Sequence, residues 1–373
     1  MTPTLEQLLS PLAGGQELYL VPLGLQTGPA ARPLLEAGLA RQLAGGPSVF
    51  TMVEIAVRRD AGLARLTVPV GALAQEGLLA HGAAGETVSA ILERLSAPRP
   101  SFAGLALPAV MGIVNVTPDS FSDGGERLDP SAAVAAGLEM VAAGAALVDV
   151  GGESTRPGAE PVAEAEELRR VLPVVAGLAA AGVRVSIDTR RAGVMRAALD
   201  AGAILVNDVT ALAGDAGSVA AVRGHAAPAV LMHMQGEPRT MQAAPRYASV
   251  LHDVYDYLGG RLDALSGAGL PRQRFAVDPG IGFGKTVAHN LAILRGLGLY
   301  LGLGVPLLVG LSRKGFIGRI AGDGAAARDR LGGSLAGVLW ALDRGASILR
   351  VHDVAETAQA IALWRALSSG EAE

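Results

Sequence analysis

Several residues whose side chains could bind a polar ring follow directly on short apolar runs of the chain. Asp188, Asn207 and Asp278 each end such a run, and Lys314 follows another by a few residues. A carboxylate accepts N–H hydrogen bonds and an amide both donates and accepts them, so this set suits the edge of an amino-pyrimidinone ring. In a buried site such bonds discriminate between ligands, because a wrong ligand leaves polar groups unpaired.

A second set of residues suits an anion. Arg350 and His352 alternate along the last apolar run, so both side chains point to the same side of a strand. Together with Arg156 they would make a local cationic site. The formal net charge is −4, so an anion must be held by such a cluster rather than by the field of the whole protein. The sequence therefore predicts a site for a polar ring system that carries an anionic group.

Eight apolar runs would position these residues. They are mostly continuous rather than alternating, which is typical of parallel strands covered on both faces. Stretches of helical composition, such as Ser131–Ala143 and Ala192–Asp200, lie between them. The runs are Ala109–Val116, Leu147–Val150, Val183–Ile187, Ile204–Val206, Ala229–Met232, Phe275–Val277, Leu307–Val309 and Ile348–Val351.

Eight strand–helix units in about 250 residues predict a (β/α)8 TIM barrel, which would span residues 105–373 from Leu105 onward. A doubly wound open sheet is the alternative, and the even spacing of the units favours the closed barrel. In a TIM barrel the chemistry lies at the carboxyl ends of the strands, so the polar residues would converge on one mouth. A single Asp at a strand end is often only a helix N-cap, but polar residues after nearly every run favour a shared site.

Residues 1–104 do not share this pattern. Glu17–Leu25, Val49–Arg58 and Leu63–Val70 are predicted strands, and Pro29–Leu43 and Gly85–Leu95 are predicted helices. Ser96–Ser101, which contains two prolines, is a predicted linker. We interpret this part as a small α+β accessory domain whose role the sequence does not reveal.

Composition excludes several classes of function. The chain of 373 residues has no cysteine, which excludes disulfides, thiolate metal sites and a cysteine nucleophile. Its slightly acidic balance gives no reason to expect a nucleic-acid partner. Its first residues lack a basic start and a continuous apolar stretch, so no secretory signal is predicted and we expect a cytoplasmic protein.

Two further segments resemble functional motifs only in part. The uncharged stretch between Arg295 and Arg313 is rich in glycine and contains Pro306, so it predicts a helix end, a turn and a buried strand rather than a membrane span. The Gly-Lys-Thr sequence at 284–286 would need a glycine at position 279 to form a phosphate loop. Pro279 stands there, so ATP binding by that route is not expected.

Eight motifs in the predicted barrel resemble those of one family, the dihydropteroate synthases. The first is MGIVNVTPDSFSDGG at Met111–Gly125 and the second is GGESTRPGA at Gly151–Ala159. SIDTR, VNDV, LMHMQG, DPGIGFGK, GLSRKGFIG and LRVHDV follow in the family's order, one for each strand. The resemblance covers roughly residues 105–373. It implies a TIM-barrel transferase of folate biosynthesis that joins 6-hydroxymethyl-7,8-dihydropterin pyrophosphate to p-aminobenzoate.

The resemblance also implies roles for single residues in binding the pterin pyrophosphate. Asn115 would bind the divalent metal, usually Mg²⁺, that accompanies the pyrophosphate. Arg350 and His352 would bind the leaving pyrophosphate, with help from Asn115 and the Thr155–Arg156 loop. The residues that would hold the pterin are Asp188, Asn207, Asp278 and Lys314, with Met232 and Phe283 as apolar walls.

The site for the second substrate is implied in the same way. The residues that would frame the p-aminobenzoate, where sulfonamide drugs compete, are Ser312, Phe121, Pro157 and Lys314. Such an enzyme needs no covalent nucleophile, which agrees with the absence of cysteine. Asn115, Lys314, Arg350 and His352 are the predicted catalytic residues. Both small molecules are expected partners, and a homodimer is expected because the family is usually dimeric.

Two other functions share part of this pattern. A methyltetrahydrofolate–corrinoid methyltransferase has a pterin-binding barrel but would not need the cationic pair or the long first loop. A non-catalytic pterin-binding protein would be indicated by lost cations or loop residues, and the sequence retains them. The synthase is therefore the favoured interpretation.

Overall fold

Two separate sheets contain the strands of the computed structural model, which describes residues 3–10, 17–60, 62–75, 78–117, 129–154, 158–322, 324 and 326–369. The smaller sheet lies in the N-terminal part and is antiparallel. The larger sheet has eight strands, all of them paired in parallel.

The N-terminal sheet is built around one long strand, β3. It pairs antiparallel with β1 along most of its length. It also pairs antiparallel with β2 near its start and with β4 over the rest of its length. The three predicted long strands are confirmed to within one or two residues. The elements are α1 (Leu5–Leu9), β1 (Leu18–Gln26), α2 (Ala31–Glu36), β2 (Arg41–Gln42), β3 (Val49–Arg59), β4 (Gly62–Pro69), α3 (Val70–Gln75) and α4 (Gly82–Ser96).

One predicted helix of this part is wrong in its extent. The sequence predicted a helix over Pro29–Leu43, whereas the structure has a 3₁₀ turn at Gly28–Ala30 and a helix that ends at Glu36. Gly38 has a φ of +68°, a left-handed conformation that commonly terminates a helix. The chain then extends into β2, which pairs with β3.

The second sheet alternates with helices from residue 109 onward. The strands are β5 (Ala109–Asn115), β6 (Leu147–Gly151), β7 (Val185–Asp188), β8 (Leu205–Asp208), β9 (Ala229–Met232), β10 (Phe275–Asp278), β11 (Leu308–Val309) and β12 (Ile348–Val351). The helices are α5 (Pro130–Ala142), α6 (Glu164–Ala180), α7 (Ala192–Asp200), α8 (Ser218–Gly224), α9 (Val250–Gly267), α10 (Val287–Arg295), α11 (Gly315–Ala321), α12 (Leu331–Asp343) and α13 (Val354–Ser369).

The eight parallel strands form a barrel and not an open sheet. Their order is β10-β9-β8-β7-β6-β5-β12-β11. A parallel bridge between Val277 and Leu307 joins the two ends of this order, and the Val277 nitrogen donates to the Pro306 oxygen at 2.9 Å. The predicted (β/α)8 barrel is confirmed, and the doubly wound alternative is excluded.

The register of the strands stacks the inward residues in layers, as TIM barrels do. The lowest layer comes from alternate strands and contains Leu147, Leu205, Ala276 and Ile348, all buried in one apolar cluster. The next comes from the other four strands and contains Met111, Ser186, Val230 and Leu308. Phe102 and Leu105 belong to the same cluster, so the segment before β5 closes the amino end of the barrel.

The third layer is polar. Because side chains alternate along a strand with a period of two, the residue two positions after each lowest-layer residue also points inward. Those residues are Asp149, Asn207, Asp278 and Arg350. The inward residues above them, from the other four strands, are Ile113, Asp188, Met232 and Gly310. The polar mouth of the barrel thus starts at the third layer.

The N-terminal sheet packs on the outside of the barrel, against the 3₁₀ segment Leu297–Leu303, and side chains of β1 and β3 contact α9. Arg58 donates to Asp253 at 3.0 Å and to Asp256 at 2.8 Å, both on α9. The Tyr19 hydroxyl donates to Asp256 at 2.8 Å, and its ring lies 4.6 Å from that of His252. The accessory part is therefore joined to the barrel by a partly buried polar cluster.

The uncharged stretch between Arg295 and Arg313 has the predicted form. After α10 ends at Arg295, a buried 3₁₀ segment leads to Gly304, which has a φ of +76°, and then to β11. Within the described ranges, no helix combines the length and apolar character that crossing a bilayer requires.

Candidate active site

A cavity of about 840 Å³ opens at the carboxyl ends of the barrel strands. Seven of the predicted site residues line it: Asn115, Asp188, Phe283, Ser312, Lys314, Arg350 and His352. Asn207, Met232 and Asp278 are buried beneath it at the same end of the barrel. Phe121 and the Thr155–Arg156–Pro157 segment lie outside the described residues.

Arg350 is the centre of the polar layer. Its Nε donates to Asp149 Oδ2 and its Nη2 to Asp188 Oδ2, both at 2.7 Å. Asn207 Nδ2 donates to the same oxygen of Asp149 at 2.9 Å. Asp149 is fully buried, and the sequence analysis assigned it no role. Asp149 lies within the predicted run Leu147–Val150, whereas Asp278 directly follows its run, so the same signal did not mark Asp149 as a site residue.

Burial changes the acidity of the carboxyls in this layer. It raises the pKa of Asp188 from 3.8 to about 7, although the nearby Arg350 charge acts in the opposite direction. Burial also raises the pKa of Asp278 to about 6, against the hydrogen bond from the Gly280 N–H. Both groups therefore hold their protons at higher pH than exposed carboxyls do, because the cost of burying the charge exceeds the effect of the nearby cations.

The loop after β10 forms one wall. Asp278 Oδ1 accepts a hydrogen bond from the Gly280 nitrogen at 2.7 Å. Gly280 has a φ of +67°, and a Cβ there would lie 2.0 Å from the His233 oxygen, so only glycine fits. Phe283 follows in this loop, and the Lys314 Nζ lies 4.1 Å from the centre of its ring. The structure thus brings together two residues that were predicted for the pterin site, one as an apolar wall and one as a polar contact.

Lys285, to which the sequence gave no role beyond a rejected phosphate-loop pattern, is a buried cation of the site. It lines the cavity, and its Nζ lies 3.0 Å from both His233 Nδ1 and the Phe283 oxygen. Burial lowers the pKa of Lys285 to about 7 and that of His233 to about 3. His233 is consequently a neutral acceptor that ties the loop after β9 to the loop after β10.

The rim near β11 and β12 is cationic. His352 Nδ1 lies 3.2 Å from Ser312 Oγ, which brings together two residues predicted for different substrates. Arg313 has a φ of +59° and is held by an ion pair with Asp353 and by Arg330, which donates to its carbonyl at 2.9 Å. Arg319 and Arg330 also line the cavity. Sequence spacing alone did not distinguish these two arginines from surface residues.

Asn115 ends β5 and lines the cavity. Among the residues that the structure describes, no group of three or more His, Cys, Asp or Glu side chains could hold a metal. Mg²⁺ usually keeps several waters and takes few protein ligands besides substrate phosphates. The side chain of Asn115 offers one amide oxygen at a cavity with a cationic rim, which fits an ion that is carried mainly by the phosphates of a substrate.

A polar layer beneath a cavity at the carboxyl ends of a parallel barrel suits an enzyme that binds a polar ring. A match to a protein family defines the class of enzyme. The family model described as "Pterin binding enzyme" matches residues 111–352 of this chain. This range contains every predicted site residue and begins within β5, so the N-terminal sheet lies outside it.

Individual relatives narrow the class. The dihydropteroate synthase of Neisseria meningitidis serogroup B is 47% identical over 270 residues, which are 71% of this chain and 94% of that protein. The Xanthomonas albilineans dihydropteroate synthase, solved with 4-aminobenzoic acid, is 49% identical, with a TM-score of 0.66 over 69% of this chain and 92% of that one. The Yersinia pestis enzyme, solved as a sulfonamide drug complex, is 42% identical, with a TM-score of 0.67 over 72% and 98%.

The chain belongs to the dihydropteroate synthase family. It is accordingly a transferase, and the resemblance found in its motifs is confirmed. The two alternatives, a corrinoid methyltransferase and a non-catalytic pterin-binding protein, are disfavoured by this membership.

Proposed function

We propose that the barrel condenses 6-hydroxymethyl-7,8-dihydropterin pyrophosphate with p-aminobenzoate to give 7,8-dihydropteroate and pyrophosphate. The observation that carries the proposal is the polar layer itself. It combines carboxylates and an amide, which suit a pterin edge, with a buried guanidinium that suits an anion. In the reaction, the bond from the pterin methylene carbon to the pyrophosphate oxygen breaks. A bond from the arylamine nitrogen to that carbon forms, and the nitrogen loses one proton.

Asp188, Asn207 and Asp278 are proposed to bind the pterin, with Lys314 beside them and with Met232 and Phe283 as apolar walls. Their burial at the floor of the cavity supports this role, because hydrogen bonds made away from water are discriminating. The Phe283 ring contacts the Lys314 ammonium and the Phe283 backbone oxygen accepts from Lys285, and these two contacts support its role as a fixed apolar wall.

Arg350 and His352 are proposed to stabilise the negative charge that develops on the departing pyrophosphate. Fixed donors in a site shielded from water stabilise such charge more strongly than solvent does. Asn115 would hold Mg²⁺ together with the substrate phosphates, and the ion would supply further neutralisation of the leaving group. Thr155 and Arg156 are proposed to assist from the second loop.

The p-aminobenzoate is proposed to bind next to Ser312 and Lys314, with Phe121 and Pro157 completing its site. Support comes from the cationic rim of the same cavity, where Arg319 and Arg330 could attract its carboxylate. Sulfonamides are expected to compete there. The amine would then be aligned with the pterin methylene, which is where positioning lowers the barrier.

The test is a pyrophosphate-release assay with the full chain, the pterin pyrophosphate, p-aminobenzoate and Mg²⁺. We expect release that depends on p-aminobenzoate and is lost in an Arg350→Ala, His352→Ala double variant. Release without p-aminobenzoate, or binding of the pterin without any release, would contradict the synthase. Methyl transfer from methyltetrahydrofolate to a corrinoid would indicate the first alternative. Steady turnover by the double variant would refute the leaving-group role.

We also propose that the enzyme is a homodimer in the cytoplasm. Leu363 and Leu367 lie one turn apart on α13 and are 62% and 69% exposed, which supports an apolar contact surface on that helix. The mass in solution of the parent chain and of a Leu363→Ser, Leu367→Ser variant tests the assembly. A parent monomer at micromolar concentration would exclude it.

A further inference from the structure

Asp149 stands out among the buried groups that the proposed reaction does not use. It lies on β6 in the polar layer of the barrel and has no exposed surface. The strand order places β6 two strands from β8 on one side and two strands from β12 on the other. Its carboxylate therefore faces the Asn207 and Arg350 side chains of the same layer.

Both contacts of Asp149 converge on one oxygen. Its Oδ2 accepts from Arg350 Nε at 2.7 Å and from Asn207 Nδ2 at 2.9 Å. A buried carboxylate is costly unless it is paired and hydrogen-bonded, so these two contacts hold three side chains in one arrangement. Arg350 is held from the other side by Asp188. One carboxylate thus fixes a residue of the proposed pterin site and a residue of the proposed pyrophosphate site.

The chemistry of a carboxylate decides how these partners are oriented. An ionised carboxylate only accepts hydrogen bonds, so the Asn207 amide must turn its nitrogen toward Asp149. Its oxygen then stays in a defined place as an acceptor for the ligand. A guanidinium has five N–H donors in a fixed fork, so the two contacts to Asp149 and Asp188 leave donors for the leaving group in a fixed direction.

We propose that Asp149 is a positioning residue that sets the amide orientation of Asn207 and the fork of Arg350, and so aligns the pterin and pyrophosphate sites. This inference rests on the proposed function, since it assigns those two sites to Asn207 and Arg350. Asp149 acts through its partners and not by contact with the reacting atoms.

The test replaces Asp149 by a residue of nearly the same shape, Asp149→Asn. The new side chain carries its own N–H₂ group and no charge, so Asn207 can turn over. Losing one hydrogen bond to a charged group corresponds to about 10- to 150-fold in binding. We expect the Kd for 6-hydroxymethylpterin to rise by about that factor, and kcat/KM for the pterin pyrophosphate to fall at least as much. The KM for p-aminobenzoate should change less than about twofold, since Ser312 of its proposed site contacts His352 and not Asp149.

A double-mutant cycle separates positioning from a structural role. In an Asn207→Ala background, Asp149→Asn should change the Kd for 6-hydroxymethylpterin by less than about threefold, because the amide that it orients is gone. The matched control is Asp208→Asn. Asp208 is equally buried on β8 but accepts from the Thr210 and Leu212 nitrogens outside the cavity. The Asp208→Asn variant should have a lower urea midpoint and an unchanged Kd for 6-hydroxymethylpterin.

The outcomes are distinct. An active parent whose pterin affinity is unchanged by Asp149→Asn would overturn the inference, as would additive effects in the cycle. A parent that binds 6-hydroxymethylpterin but releases no pyrophosphate would sink the proposed function, and the cycle on pterin binding would still test the contact between Asp149 and Asn207.

Discussion

Replacing Arg350 by lysine tests whether the geometry of this cation matters beyond its charge. The guanidinium bridges two carboxylates with separate nitrogens, each at 2.7 Å. A lysine keeps the charge, but its single ammonium lacks the planar fork that reaches both partners at fixed angles. The substitution therefore isolates the orientation of the cation.

The expected loss follows from the contacts. One of the two charge-assisted hydrogen bonds is lost, which corresponds to about 1.5–3 kcal/mol. If that orientation is needed in the transition state, kcat/KM for the pterin pyrophosphate falls by about 10- to 150-fold, since 1.36 kcal/mol is tenfold. The KM for p-aminobenzoate should change little. Initial rates of pyrophosphate release, measured at several concentrations of each substrate, give these values.

The matched control is Arg261→Lys on α9. Arg261 is also partly buried and donates twice, to the Ala211 oxygen at 3.0 Å and the Leu212 oxygen at 3.3 Å, but it does not line the cavity. The Arg261→Lys variant should have a lower free energy of unfolding in urea and an unchanged kcat/KM. If Arg350→Lys folds normally and keeps kcat/KM within about threefold of the parent, the planar fork of Arg350 is not needed for the reaction.

Three further predictions concern acidity, the accessory sheet and a tight turn. Because the pKa of Asp188 is raised to about 7, its ionised, accepting form appears only as the pH rises toward 7. The affinity for 6-hydroxymethylpterin should therefore increase from pH 5 to 7.5, and Asp188→Asn should remove the step near 7 in a titration of Kd. Arg58→Met should cost about 1–2 kcal/mol in urea unfolding, because it leaves two partly buried α9 carboxylates without their cation. The same change at the exposed Arg32 should cost at most about 0.5 kcal/mol, and equal costs for the two variants would contradict a stabilising role of Arg58 between the N-terminal sheet and α9. Gly280→Ala should lower the free energy of unfolding by more than about 2 kcal/mol, because of backbone strain and overlap with the His233 oxygen. Gly260→Ala, on the open face of α9, should leave it unchanged or raise it. An unchanged free energy of unfolding in Gly280→Ala would contradict this prediction.

Much of the barrel was determined by the sequence alone, because its local patterns report local geometry. Continuous apolar runs predicted the parallel strands, and seven of the ten described site residues predicted from the motifs line one cavity. The other three lie in the barrel interior just beneath. Polar residues after nearly every run were also visible in the sequence, because a carboxyl end of a strand is marked by its local pattern. In the accessory part, the long strands were predictable but the end of α2 was not, because the left-handed Gly38 that ends it is one of many glycines.

Only the tertiary structure decided which polar groups touch. Asp149 and Arg350 are 201 residues apart and Asp149 and Asn207 are 58 apart, yet they meet at one carboxylate oxygen. Their meeting depends on the order and stagger of eight strands, which set the layer to which each inward residue belongs. Spacing along the chain carries no such information. The sequence alone could therefore predict Asn207 and Arg350 as ligands for two halves of a substrate. That the Asp149 carboxylate holds both of them follows only from the tertiary structure of the barrel.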